Sequence, residues 1–410
     1  MEIRPILSAL LRNKTGPLLV ALQVALSLAI LANALHVVNE RRTVAARPSG
    51  LLDEASTFYF SVRSLTDNTP EQMLADIKRE LAMLRAVPGV IAASQVSQMP
   101  LSNSGGSTSV AIDRRQQREN AITSLYEGDE TLLKTFGLKL IEGREFQAHE
   151  VTDVDETISA GFRELAIMSK PLADKLWPGV PATGKTFYFG TGEGAPALRV
   201  VGVVERLQSA HAQVGEDGEF SVIMPSRRYG YPRKMYVVRA DPAQRERVMK
   251  DAEQALRASS ATPMILRVKT VAQDRQSRYR ADIALSWMLV TVSVLLLLVT
   301  CSGIVGMASL WVTQRRKQIG VRRALGARKI DILRYFIVEN VVITSAGVAG
   351  GVLLGVGLNA LLVTKLEMAR LPVTYLIGGA LMFWVIGILA AFGPAWRAAG
   401  TSPALATRSL

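Results

Sequence analysis

The stretch that decides the architecture is Thr313–Asn340, TQRRKQIGVRRALGARKIDILRYFIVEN. An apolar run closes just before it at Leu310–Val312, and another opens near its far end with Tyr335–Val338. The segment therefore joins two membrane helices. It carries eight basic residues, Arg315, Arg316, Lys317, Arg322, Arg323, Arg328, Lys329 and Arg334, against two acids, Asp331 and Glu339. Short loops this rich in Lys and Arg stay on the cytoplasmic side. Ile319, Arg322, Arg323 and Gly326 are spaced for one helical face, and Ile330, Leu333 and Ile337 continue at helical spacing. A helix lying on the inner membrane surface can be gripped by a cytoplasmic partner; the bland alternative is a topological anchor and nothing more. Glu339 sits at the inner end of the following span, where an ionisable side chain is costly. Its shallow depth favours locking the loop, through one of the loop's basic residues, over carrying protons.

Composition agrees with membrane helices plus one sizeable polar domain. The chain has 410 residues, 49% of them hydrophobic and 20% charged, with a mean hydropathy of +0.21. A net charge of +13 could suggest nucleic acid. Its distribution argues otherwise: Asn39–Asp282 holds 33 basic and 31 acidic residues, leaving 15 basic and 4 acidic for the spans and their flanks. That excess reads as topology and contact with anionic lipid, and no nucleic-acid partner is expected. Cys301 is the one cysteine, so neither an internal disulfide nor a Cys-based metal site is possible. His36, His149 and His211 are scattered, and no catalytic or metal-binding constellation emerges.

Outward from the loop, the apolar runs predict four spans. Residues 1–15 read as an amphipathic helix on the inner surface, with Ile3, Ile6, Leu7, Leu10 and Leu11 on one face. Residues 16–38 form the first span; a signal peptide cleaved at Ala32-Asn33-Ala34 is the rival reading. Residues 283–312 form a second, overlong span that tilts or projects as a stalk. Residues 313–334 are the inner loop, and 335–364 the third span, with Gly347, Gly351 and Gly355 spaced by four for close helix packing. Asn359, in the same span, is assigned to packing. A short outer loop over 365–373, a fourth span over 374–394 and a tail over 395–410 complete the chain. Both termini then lie inside and residues 39–282 outside.

That outer domain reads as α/β. Strand, helix and strand follow one another over Thr57–Ser64, Pro70–Val87 and Val90–Val96. The same order returns over Lys234–Ala240, Pro242–Ser259 and Met264–Thr270. Two such β-α-β units, at 57–100 and 234–270, can join in one split sheet layer, with a strand-rich subdomain inserted over about 107–225. The fold class expected is an α-helical membrane protein with four transmembrane helices and a large α/β extracytoplasmic domain, a split β-α-β layer with mixed sheet, between helices 1 and 2. Within it, Gly179–Thr186 (GVPATGKT) fits the phosphate-loop pattern GxxxxGK[ST]. Phosphate binding needs that loop between a strand and a helix. Here a helix ends at Leu176-Trp177-Pro178 and a strand follows at Phe187–Gly190, so Lys185 is read as part of a turn.

The order Gln318-Ile319-Gly320-Val321-Arg322-Arg323-Ala324-Leu325-Gly326-Ala327, with Ile332 and Glu339, resembles the cytoplasmic loop of MacB/FtsX-type permeases of ABC transporters. Departures fall at Gln318, where the family usually has Glu, and at Asn340, where it often has Ala. In the outer domain, Phe136-Gly137-Leu138, Glu142-Gly143-Arg144, Met168-Ser169 and Val200–Val204 resemble the periplasmic domain of MacB-type permeases. The tail, with Pro394-Ala395, Arg397-Ala398-Ala399, Pro403, Ala406 and Arg408, resembles the family's cytoplasmic end.

The resemblance implies a permease subunit in the bacterial inner membrane that moves its outer domain when an ABC ATPase hydrolyses ATP. ATP and magnesium are expected on that partner, because no ATPase signature stands in these residues, and no cofactor is expected in the chain itself. It implies coupling residues Arg315, Arg316, Ile319, Gly320, Arg322, Arg323, Ala324, Leu325, Gly326 and Ala327. The partners implied are a second or homologous permease copy, and a periplasmic adaptor with an outer-membrane channel. The cargo implied is a peptide, macrolide, lipid or lipoprotein. The alternative is an FtsX-like signalling module that regulates an envelope enzyme such as a peptidoglycan hydrolase.

Overall fold

The computed structural model describes residues 14–158, 164–211, 215–260, 263–366 and 369–400. The amphipathic segment expected over residues 1–15 lies almost wholly outside these, as do Pro403, Ala406 and Arg408. The chain divides into two units, one of residues up to Thr43 together with those from Asp282 onward, the other Val44–Ala281.

A first helix, α1 (Thr15–Ala45), leads into the α/β unit. There β1 (Thr57–Ser64), α2 (Pro70–Ala86) and β2 (Val90–Gln95) make the first β-α-β unit. Thr69 starts α2: its hydroxyl accepts the Gln72 N–H at 3.4 Å, the Gln72 side chain accepts the Thr69 N–H at 3.0 Å, and Pro70 occupies the first helical position. The insertion follows as β3 (Ser107–Ala111), β4 (Ala121–Gly128), α3 (Leu132–Phe136), β5 (Leu140–Gly143), β6 (Thr152–Asp155), β7 (Leu165–Ser169), α4 (Lys170–Leu176), β8 (Thr186–Phe189), β9 (Ala197–Val204) and β10 (Ser221–Tyr229). The second β-α-β unit is β11 (Arg233–Ala240), α5 (Arg245–Ser259) and β12 (Met264–Thr270).

The two β-α-β units merge into one antiparallel sheet of order β12-β1-β11-β2, as their matching order predicts. Strand alternation sets its two faces. Phe58, Phe60, Val62, Tyr236 and Val238 pack against Ile77, Leu81 and Leu84 of α2 and Val248, Ala252 and Leu256 of α5. Beneath α2 the buried Glu80 accepts from Lys234 Nζ and Tyr236 Oη, each at 2.6 Å. On the other face, Tyr59 and Val237 join Tyr126, Phe136, Ile167 and Ile223 of the insertion. The insertion's own sheet is mixed and runs β4-β3-β8-β9-β7-β10-β6, with β5 added on β9. β10 pairs in parallel with β4 through Ser221–Pro225 and with β6 through Ser226–Tyr229, so the path from β4 to β10 closes on itself.

The ends of this unit are tied together. Arg275 donates to the carbonyls of Ala45 at 2.6 Å and Arg47 at 3.0 Å, and to both carboxylate oxygens of Glu54. Asp274 accepts from Tyr59 Oη at 2.7 Å.

These last residues belong to α6 (Val271–Gln314), which continues unbroken into the helical unit. Its 44 residues correspond to about 66 Å, well over a bilayer core. α7 (Arg316–Ala324), α8 (Lys329–Leu366) and α9 (Val373–Ala399) follow. Among the described residues α1, α6, α8 and α9 are long and apolar enough to cross a membrane. α1 is the most enclosed, with 56% of its spanning window buried against 17% for α6. The fourth apolar run was expected to end at Pro394; the helix instead carries that proline within it and runs to Ala399. The lost backbone hydrogen bond is offset by packing, since Ala395, Ala398 and Ala399 are buried against Ile319, Ile332 and Phe336.

α1 and α8 approach closely through small residues. A Cβ built on Gly347 would lie 2.8 Å from the Ala21 carbonyl oxygen, and one on Gly351 2.9 Å from Leu28 Cβ. Gly355 lies against Ala29 and Leu376. Polar ties cross the same bundle: Asn33 Nδ2 donates to the Gly355 carbonyl at 3.1 Å, Ser27 and Thr300 share a hydrogen bond of 2.8 Å, and Asn340 Nδ2 donates to the Gly387 carbonyl at 2.6 Å. Asn359 accepts the Leu371 N–H at 3.0 Å and so fixes the short loop before α9.

Candidate functional site: the loop between α6 and α8

The sequence suggested one continuous helical face from Ile319 to Gly326. The structure divides the loop into a short helix and a sharp turn. α7 ends because Gly326 takes φ +98°, a left-handed value that glycine adopts at little cost. The Ala327 N–H then reaches the Arg322 carbonyl at 3.0 Å and the Gly326 N–H reaches that of Arg323 at 3.2 Å, the two bonds of a Schellman cap. Asp331 accepts the Arg328 N–H at 3.0 Å and starts α8. The direction of the chain thus changes within Leu325–Arg328.

The halves of the loop are locked to each other. Arg315, at the junction of α6 and α7, donates to both oxygens of Glu339 at 2.9 Å. Glu339 is 1% exposed, so this is a buried charge whose two oxygens share one guanidinium nitrogen, Nη1 of Arg315. The Arg322 guanidinium lies over the Tyr335 ring, 5.2 Å from its centroid. Arg323 donates to the Ala399 carbonyl at 2.8 Å, placing a cation at the C-terminal end of α9. Ile319 and Gly320 are buried, with Ile319 against Ile332, Leu333 and Phe336.

What this frame presents is an apolar tip in a basic surround. Leu325 is 83% exposed, Val321, one helical turn earlier, 53%, and Ile330 60%. Arg316, Arg322 and Arg328 are exposed around them, as are Ala324 and Gly326, while Ala327 is half-buried. Of the residues singled out from sequence, Ile319 and Gly320 therefore face inward and Leu325 outward. Val321 and Ile330 were missed at the tip. Val321 was legible as the residue four before Leu325; Ile330 was not, because only the turn at Gly326 brings it round. Tyr335 was likewise unassigned and serves as the platform for Arg322.

The phosphate-loop lookalike offers no cradle. It stands between helix α4 and strand β8, the reverse of the order such a loop requires. Its Gly184 N–H is bonded to the Val200 carbonyl at 2.8 Å and its Lys185 N–H to that of Ala182 at 3.1 Å. Lys185 Nζ lies over the Trp177 ring at 5.2 Å.

An α/β unit set between the first two of four candidate spans, with a basic locked loop between the second and third, is the architecture of a multi-span membrane protein. Comparison with known proteins agrees. The MacB-like periplasmic core domain profile matches residues 21–255, and the FtsX-like permease C-terminal profile matches residues 290–403. The chain belongs to the MacB/FtsX-type permeases. It is 26% identical over 309 residues to the macrolide export ATP-binding/permease protein MacB of Acinetobacter baylyi, covering 70% of this chain and 43% of that one. It is 34% identical over 134 residues to the pyoverdine export ATP-binding/permease protein PvdT of Pseudomonas savastanoi pv. phaseolicola, covering 33% and 20%. The chain thus spans less than half the length of these relatives. The periplasmic region of MacB from Actinobacillus actinomycetemcomitans aligns with a TM-score of 0.35 at 13% identity, over 57% of this chain and 97% of that one.

Proposed function

We propose that the chain is a transport permease whose α6–α8 loop docks on a cytoplasmic ABC ATPase. ATP and magnesium are bound on the ATPase, and the chain converts ATP-driven closure into movement of its α/β unit. The observation that carries this reading is Leu325: an 83%-exposed leucine at the tip of a short helix whose base is fastened by a buried ion pair. Large apolar side chains exposed on rigid supports mark contact surfaces. The docked group would be Val321, Leu325 and Ile330, rimmed by Arg316, Arg322 and Arg328. Ile319, Gly320, Arg315 and Arg323 hold the helix in place rather than touch the partner.

The unbroken helix from Val271 to Gln314 is the element suited to carry displacement from the loop to the α/β unit. In this reading the loop lies inside and the α/β unit outside the inner membrane. The exposed apolar face of α6, including Leu295, Leu298 and Val299, suits a second permease copy. Export of a peptide, macrolide, lipid or lipoprotein, with an adaptor and an outer channel, accords with relatives named for macrolide and pyoverdine export.

The test is Leu325→Asp, co-expressed with the ABC ATPase that co-purifies with the unaltered chain. Truncating such an anchor typically costs about 2 kcal/mol or more, roughly thirty-fold in affinity. The expected result is loss of co-purified ATPase with an unchanged melting temperature. Full retention of the ATPase together with normal transport would show the loop to be a topological anchor only.

A further inference from the structure

The face of the four-stranded sheet turned away from α2 and α5 is only half covered. Tyr59 and Val237 lie under the insertion. Further along the same strands, Ser61, Arg63, Arg233, Met235, Ile265 and Arg267 line an open cleft of about 660 Å³, the size of a small-molecule site. The register puts three of these side chains into an unusual relation. Arg63 of β1 stands directly opposite Arg233 of β11, and Ser61 directly opposite Arg267 of β12. By strand alternation all three guanidinium groups share one face.

Like charges directly opposite across a sheet are destabilising, and a neighbouring carboxylate would normally relieve them. None does here. Among the described residues the cleft lining has one acid, Glu156, and it is held by Arg228 at 3.0 Å. Arg228 also pairs with the buried Glu127, and Lys234 at the rim is committed to Glu80. Arg63, Arg233 and Arg267 have no acidic partner among the described residues. Three uncompensated arginines therefore stand above a floor of Met235 and Ile265, and Ile265 is 41% exposed.

We infer that this cleft binds a phosphate ester with an apolar substituent. A phosphate monoester carries about −1.5 to −2 charges near neutral pH and accepts paired N–H bonds from arginine. One such group between Arg63 and Arg233 removes their repulsion, with Arg267 within the same patch, and the substituent covers Met235 and Ile265. This site stands on the α/β unit alone and holds whether or not the chain transports what it binds.

The probe is hexyl phosphate, titrated into the full chain in neutral detergent and phosphate-free buffer. The expected result is saturable one-to-one binding and a raised melting temperature. In Arg63→Gln with Arg233→Gln, binding weakens at least ten-fold. The unliganded melting temperature does not fall, because a repulsion has been removed. Ile265→Asn, at an exposed position, weakens binding without adding a charge beside the arginines, and Lys134→Gln, an exposed cation elsewhere on the unit, leaves it unchanged. Hexyl phosphate binding equally well to the double variant would overturn the inference. So would inorganic phosphate binding as tightly as the ester, since the apolar floor would then contribute nothing.

Discussion

Gly326 and Glu339 carry the shape of the loop. Glycine at 326 is demanded by backbone conformation alone, because a Cβ there would meet nothing within 4 Å. Gly326→Asn, which tolerates a left-handed backbone, is therefore expected to keep coupling, whereas Gly326→Val is strained by about 1–2 kcal/mol and should uncouple ATPase activity from transport. Measuring both variants separates backbone strain from loss of space; equal behaviour would refute the assignment. Glu339 is a second sensitive point. Removing one partner of a buried ion pair costs about 3–5 kcal/mol, because the other charge is left unpaired. Glu339→Ala should expose the loop to trypsin after its arginines at a concentration that spares the unaltered chain. An unchanged cleavage pattern would show that Arg315 and Glu339 do not fasten it. The sequence suggested that Glu339 met some basic residue of the loop. It could not say which, because the reversal at Gly326 decides that Arg315, twenty-four residues earlier, is the one in reach.

At the scale of elements, α1 and α8 pack because small residues recur every fourth position on both helices. Ala21, Ala25 and Ala29 face Gly347, Gly351 and Gly355. Gly351→Leu must push α1 away and is expected to cost about 1–3 kcal/mol, read as a lowered melting temperature in detergent. Gly357→Leu is the control, since a Cβ there meets nothing within 4 Å. If both are equally tolerated, the stripe is not the contact. The glycine spacing was legible in sequence, as were the spans and the two β-α-β units, because period and hydropathy report which face is buried. The route of the inserted strands was not. β10 changes partner halfway, and nothing local in Ser221–Tyr229 marks the exchange from β4 to β6. Likewise the clustering of Arg63, Arg233 and Arg267 depends on strand register across more than two hundred residues.

For the whole molecule, orientation is the consequential question. In the arrangement proposed above, the α6–α8 loop lies inside and the α/β unit outside. In a background with Cys301 replaced by Ser, a cysteine at Glu193, exposed in the insertion, should react with an impermeant thiol reagent in cells opened to the periplasm. One at Gln314 should not. Equal labelling would refute the arrangement. Ser209 is an unsuitable probe position, because it is 6% exposed and its hydroxyl donates to the His211 carbonyl.

The clasp made by Arg275 has its own consequence. By gripping the carbonyls of Ala45 and Arg47, it fastens the exit of the α/β unit to its entrance. Topologically the unit is a lariat whose knot is tied with its own atoms. Joining its two ends therefore costs no further loop entropy once the fold is made. Such a module can be lifted from one pair of helices and grafted onto another, so its surface can diversify while the membrane helices stay the same.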